Sequence, residues 1–106
     1  MKEITISLGS NISPEENLKE ASCFISKKFK NVKFSKIYSS KSEGFDGDDF
    51  LNQVILCDTE LEFEQVIDLL KKIEVSMGRK KEKVKFSDRL IDLDLLTFGE
   101  EIINNN

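Results

Sequence analysis

Histidine is absent from all 106 residues. That absence excludes imidazole-based zinc sites and the triads in which an imidazole activates a nucleophile. Cysteine is scarce. Cys23 and Cys57 lie far apart, each in an apolar-periodic segment. With no sign of an oxidising compartment, both read as reduced core thiols. No apolar run approaches the ~20 residues that span a bilayer. Met1-Lys2-Glu3 leads straight into a strand pattern, without a signal-peptide stretch. Internal repeats and linkers are missing, as are the phosphate-loop patterns GxxxxGK(S/T) and GxGxxG. These absences point to one cytoplasmic domain, residues 1–106, with no membrane partner.

What is present is a modest apolar fraction, 39%, enough for one core. The net charge of −4 argues against a nucleic-acid ligand. The charge is uneven, however. From Gly78 to Arg89 the chain carries Arg79, Lys80, Lys81, Lys83, Lys85 and Arg89 against only Glu82 and Asp88. A concentrated basic segment in an acidic chain suggests a local anionic ligand.

Lys2 to Leu8 alternates, with Ile4, Ile6 and Leu8 on one face, and predicts a strand. Gly9-Ser10-Asn11 predicts a turn with a faint likeness to a phosphate loop. Ser13-Pro14-Glu15-Glu16 predicts a helix start, with Ser13 as cap and Glu16 completing a capping box. Leu18, Ala21, Ile25 and Phe29 carry that helix from Pro14 to about Phe29. Val32 to Ser40 predicts a strand, Ser39 to Asp49 a loop, and Phe50 to Thr59 another strand. Glu62 to Met77 predicts a second helix with Phe63, Val66, Ile67, Leu70, Ile73 and Met77 on one stripe. Arg89 to Phe98 predicts the last long strand. Gly99 would turn it into a short hairpin ending at Ile103, and Asn104-Asn105-Asn106 would fray. The order βαββαβ predicts an α+β, ferredoxin-like sandwich, its antiparallel sheet covered on one face by helices.

Asp92 and Asp94 are the sharpest chemical feature. On a strand their side chains share a face, about 6.5 Å apart. Ile91, Leu93 and Leu95 then face the core. Two neighbouring carboxylates repel, and Mg²⁺, which takes hard oxygen ligands, relieves the repulsion. A solvated strand face is the plainer alternative, although Asp is disfavoured in strands. The basic loop just before them could be solvated too. Carboxylates beside Arg and Lys nevertheless suit phosphoryl or diphosphoryl transfer, which needs bound metal ions and cations aimed at the transferring group. Phe50 and Asn52 share one parity, a ring to stack and an amide to read a flat heterocycle, although a Phe in such a place more often belongs to the core.

These pieces resemble the 6-hydroxymethyl-7,8-dihydropterin pyrophosphokinase family. The matching stretches are Ser7-Leu8-Gly9-Ser10-Asn11, Ile37-Tyr38-Ser39-Ser40, Phe50-Leu51-Asn52-Gln53-Val54, Ile73-Glu74 ahead of Gly78-Arg79, and Arg89-Leu90-Ile91-Asp92-Leu93-Asp94-Leu95-Leu96. The resemblance implies transfer of diphosphate from ATP to the hydroxymethyl-dihydropterin, a step of folate synthesis. It implies that Asp92 and Asp94 hold two Mg²⁺ ions, that Asp94 also helps draw the hydroxymethyl proton, and that Arg79 and Arg89 stabilise the transferring group. Glu74, Lys81, Lys85 and Phe86 would meet ATP. Ser40, Glu43, Phe50 and Asn52 would meet the pterin.

The chain also departs from the family. Phe86 stands where the family usually has Trp, and Ser87-Asp88 where Gly-Pro is usual. Lys41 and Ser42 replace prolines, and lysines at 81 and 85 replace arginines, losing the bidentate fork. The C-terminal segment usual in the family does not follow Asn106. Three readings therefore stand: an active enzyme, monomeric or weakly self-associating; a degenerate paralogue that binds nucleotide or pterin without efficient transfer; or a half-site completed by another chain.

Overall fold

The computed structural model describes residues 1–41, 48–78 and 90–103. In β1 (Lys2–Ser10), Ile4, Ile6 and Leu8 are completely buried, as a two-residue period with one face on a core requires. There follow α1 (Pro14–Lys28), β2 (Lys30–Phe34), β3 (Tyr38–Ser40), β4 (Phe50–Thr59), α2 (Phe63–Ser76), β5 (Asp92–Phe98) and β6 (Glu101–Ile102). The strands pair antiparallel in the order β2-β4-β1-β5-β6, and β3 pairs with the first residues of β4. Leu18, Ala21 and Ile25 of α1 and Val66, Leu70 and Ile73 of α2 join one core with Ile6, Ile55, Leu93 and Leu95 of the sheet. The expected α+β, ferredoxin-like arrangement is present, with both helices on one face. Among the described residues no helix is long and apolar enough to cross a membrane.

Several local expectations are corrected. Gly9 and Ser10 belong to β1, which pairs with β4 as far as Ser10 and with β5 as far as Gly9; the chain turns only afterwards. Ser13 does not cap α1. Its φ of 39° puts it in the left-handed region, and its side chain makes no cap bond, whereas a capping side chain works from an extended backbone. Instead the Asn17 amide donates to the Ile12 carbonyl, and the Asn17 N–H to the Ser13 carbonyl at 3.0 Å.

The single strand expected over Val32–Ser40 is two short ones. Between them, Ser35 donates its N–H to the Val54 carbonyl at 2.8 Å while its hydroxyl accepts the Val54 N–H at 2.9 Å. A side-chain oxygen thus replaces a backbone carbonyl in the ladder, and the strand breaks there. The last long strand begins at Asp92, with buried Ile91 just before it. Cys57 is a buried thiol, as expected, but Cys23 is exposed. Two residues past buried Ala21 is about 200° around a helix, which turns Cys23 to the solvent side.

Candidate active site

The face of the sheet turned away from the helices gathers the candidates carried by strands, Ser40, Phe50, Asn52, Asp92 and Asp94. Opposed residues in an antiparallel ladder share a face. Tyr38 opposes Asn52, Asn52 opposes Gly9, and Gly9 opposes Asp92. One row therefore crosses four strands, from β3 through β4 and β1 to β5. In the rows beside it, Ser40 opposes Phe50, and Val54, Ser7 and Asp94 follow one another. Strand spacing sets Asn52 and Asp92 about 10 Å apart.

The Asn52 Nδ2 donates to the Ser40 Oγ at 2.8 Å and approaches the Tyr38 carbonyl at 3.4 Å. This fixes the amide plane and leaves its oxygen over Gly9. A β-carbon on Gly9 would lie 3.1 Å from that oxygen and 3.9 Å from the Phe50 ring. Glycine is required here by close approach. Phe50 is half-buried on this outer face and is absent from the core cluster.

Asp92 is half-buried and Asp94 exposed, while Ile91, Leu93 and Leu95 point into the core, as the alternation predicts. Among the described residues no group of three His, Cys, Asp or Glu converges as a metal cage. Mg²⁺ does not demand one. It commonly binds through one or two carboxylates, keeping waters and substrate phosphates as its other ligands. The aspartate pair fits that donor set.

Glu74 lies on α2, at the edge of the sheet beside β5. The residue is 6% exposed, and its carboxylate accepts the Leu93 N–H at 2.7 Å. It also lines a cavity of about 310 Å³ between α2 and β5, with Ile67, Lys71, Leu93, Asp94 and Leu95. Ile67 and Lys71 were not legible as site residues, because only the docking of α2 against β5 sets them beside Asp94. Tyr38 and Gly9, the neighbours of Asn52 in its row, were not among the candidates either. The i, i+2 relation of Tyr38 to Ser40 and the lone glycine at the end of an alternating strand are the signals that could have found them. Glu43, Arg79, Lys81, Lys85, Phe86 and Arg89 lie outside the described residues, as do Asn104–Asn106.

A family model for 7,8-dihydro-6-hydroxymethylpterin-pyrophosphokinase matches residues 5–104. A 2-amino-4-hydroxy-6-hydroxymethyldihydropteridine pyrophosphokinase of Haemophilus influenzae is 38% identical over 104 residues, covering 94% of this chain and 64% of the relative. Its counterpart in Aquifex aeolicus is 32% identical over 105 residues, covering 97% of this chain and 65% of the relative. A folate synthesis bifunctional protein of Arabidopsis thaliana is 33% identical over 105 residues, covering 96% of this chain and 22% of that protein. The chain thus spans just under two thirds of the length of the two bacterial relatives.

Proposed function

Because the chain belongs to the 7,8-dihydro-6-hydroxymethylpterin-pyrophosphokinase family, we propose that residues 1–106 act as one domain transferring diphosphate from ATP to 6-hydroxymethyl-7,8-dihydropterin in folate synthesis. The observation that carries this reading is the row Asn52–Gly9–Asp92. A heterocycle-reading amide and a carboxylate pair flank a residue with no side chain, on one face.

In this reading Asn52, oriented by Ser40, hydrogen-bonds the pterin edge, Phe50 stacks on the ring, and Glu43 lies near it. The nucleotide occupies the cavity between α2 and β5, beside Glu74. Lys81, Lys85 and Phe86 meet ATP from the basic segment. Asp92 and Asp94 would hold Mg²⁺, two ions with ATP, which when bound would neutralise charge on the phosphates. The pterin hydroxyl oxygen forms the new bond to the β-phosphorus of ATP. The bond from that phosphorus to the AMP oxygen breaks, and AMP leaves. Asp94 accepts the hydroxyl proton, while Arg79 and Arg89 meet the charge on the transferring diphosphate. The chain acts in the cytoplasm as a monomer or weak homo-oligomer, and its net charge of −4 leaves polynucleotides outside its ligands.

The test is turnover of the purified chain with ATP, Mg²⁺ and 6-hydroxymethyl-7,8-dihydropterin. AMP should appear in step with the pterin diphosphate. Binding of both substrates without AMP would select the binding-module reading, and no binding of either would overturn the assignment.

A further inference from the structure

Glu74 is the one charged residue that is buried among the described residues. A carboxylate is retained in such a place only with hydrogen-bond donors, because desolvation otherwise drives it out. One donor here is the backbone N–H of Leu93, at the short distance of 2.7 Å typical of a charge-assisted bond. Leu93 is the residue between Asp92 and Asp94.

The geometry of β5 makes this bond consequential. One edge of β5 pairs with β1 through Asp92, Leu93 and Asp94. On the other edge β6 reaches only Thr97 and Phe98. In an antiparallel ladder successive residues direct their N–H groups to opposite edges. The Leu93 N–H points to the edge that β6 leaves uncovered, and Glu74 takes it. Helix α2 therefore grips β5 at the midpoint of the aspartate pair. Rotation of the strand about its axis at Leu93 would swing both carboxylates off the outer face, because their directions alternate with that of Leu93.

We propose that Glu74 is a positioning residue for the Asp92–Asp94 pair: by holding the Leu93 N–H, it sets the direction in which both carboxylates present their oxygens to a divalent cation. The proposal rests on the reading of that pair as metal ligands. It assigns Glu74 to orientation of the pair, where the family resemblance assigned it to nucleotide contact. Partners one step removed from a metal commonly change its affinity about 10–100-fold when lost.

Three variants separate the roles. Glu74→Gln keeps an acceptor oxygen at the same reach. Glu74→Asp keeps the negative charge on a side chain one methylene shorter, too short for the bond. Glu74→Met keeps the length and loses both charge and acceptor. Amide hydrogen exchange at Leu93 reads the bond itself, and Mn²⁺ paramagnetic resonance with a non-hydrolysable ATP analogue reads the metal.

Glu74→Gln should keep Leu93 protection and Mn²⁺ affinity near wild type. Glu74→Asp and Glu74→Met should each speed exchange at Leu93, leave core amides such as Ile6 and Ile55 unchanged, and lower Mn²⁺ affinity about tenfold or more. In turnover, kcat should fall more than the nucleotide KM rises. If Glu74→Met does not fold, Glu74→Asp carries the same comparison.

Wild-type Mn²⁺ affinity and kcat in Glu74→Asp, despite fast exchange at Leu93, would overturn the proposal and leave the carboxylate-pair reading intact. A rise in nucleotide KM alone would return Glu74 to nucleotide contact. If the wild-type chain itself binds no Mn²⁺, the reading of the aspartates falls, and this proposal with it.

Discussion

Gly9 and Asn52 face each other across the β1–β4 ladder so closely that a β-carbon on Gly9 would stand 3.1 Å from the amide oxygen of Asn52. The amide has little room to retreat, because its nitrogen is bonded to the Ser40 hydroxyl at 2.8 Å. Gly9→Ala should displace that oxygen by a few tenths of an ångström and weaken pterin binding about fivefold, the worth of one compromised hydrogen bond of about 1 kcal/mol. Stability should stay within about 0.5 kcal/mol, since the lower chain entropy of alanine offsets the crowding. Titration calorimetry with the pterin checks this. Unchanged affinity would mean that Asn52 does not read the ligand.

Asp92→Asn and Asp94→Asn should each reduce Mg²⁺-dependent turnover by at least about 10²-fold, the scale on which single transition-state contacts act. Neither should lower the melting temperature by more than a few degrees, because both side chains lie off the core face. AMP release and calorimetric melting test the two halves separately. A normal rate for Asp94→Asn would remove it from the metal site.

Cys57 should contribute to an alkaline limb of stability. Burial, with a smaller contribution from the charge of Asp58, pushes its thiol from 9.0 up to about 12. The folded chain therefore holds a proton that the unfolded chain releases. The stabilisation is complete below about pH 9 and is lost as pH rises toward 12, by at most about 4 kcal/mol. Denaturant melts from pH 8 to 11 should show this decline, and Cys57→Ala should flatten it. In native protein a thiol reagent should label Cys23 at once and reach Cys57 only on unfolding.

The start of α1 gives a paired test. Asn17→Ala removes a largely buried donor to the Ile12 carbonyl and should cost about 1 kcal/mol. Ser13→Ala should stay within about 0.5 kcal/mol, because no cap bond is lost. Urea melts of the two variants decide. A reversed order would restore the serine as the cap.

Features that depend on residue spacing are legible in the chain itself. The two-residue period sets Asp92 and Asp94 on one face and Leu93 on the other, and the helical stripe of α2 picks out Val66, Leu70 and Ile73. Features that depend on a partner distant in the chain are not. Gly9 reads as a turn until Asn52 and Phe50 are seen beside it. The bond from the Leu93 N–H to the Glu74 carboxylate, 19 residues apart, cannot be read from spacing at all. Ser13 satisfies every sequence rule for a cap and fails only because its backbone is left-handed.

The bare stretch of β1 at Gly9 has an evolutionary consequence. It holds Asn52 and Asp92 about 10 Å apart, beyond the range at which substitutions usually interfere with one another. On the proposed reading, inherited changes on β3 and β4 would alter which heterocycle is preferred while leaving the aspartate end undisturbed. A library restricted to Tyr38, Ser40, Phe50 and Asn52 would sample that freedom in the laboratory.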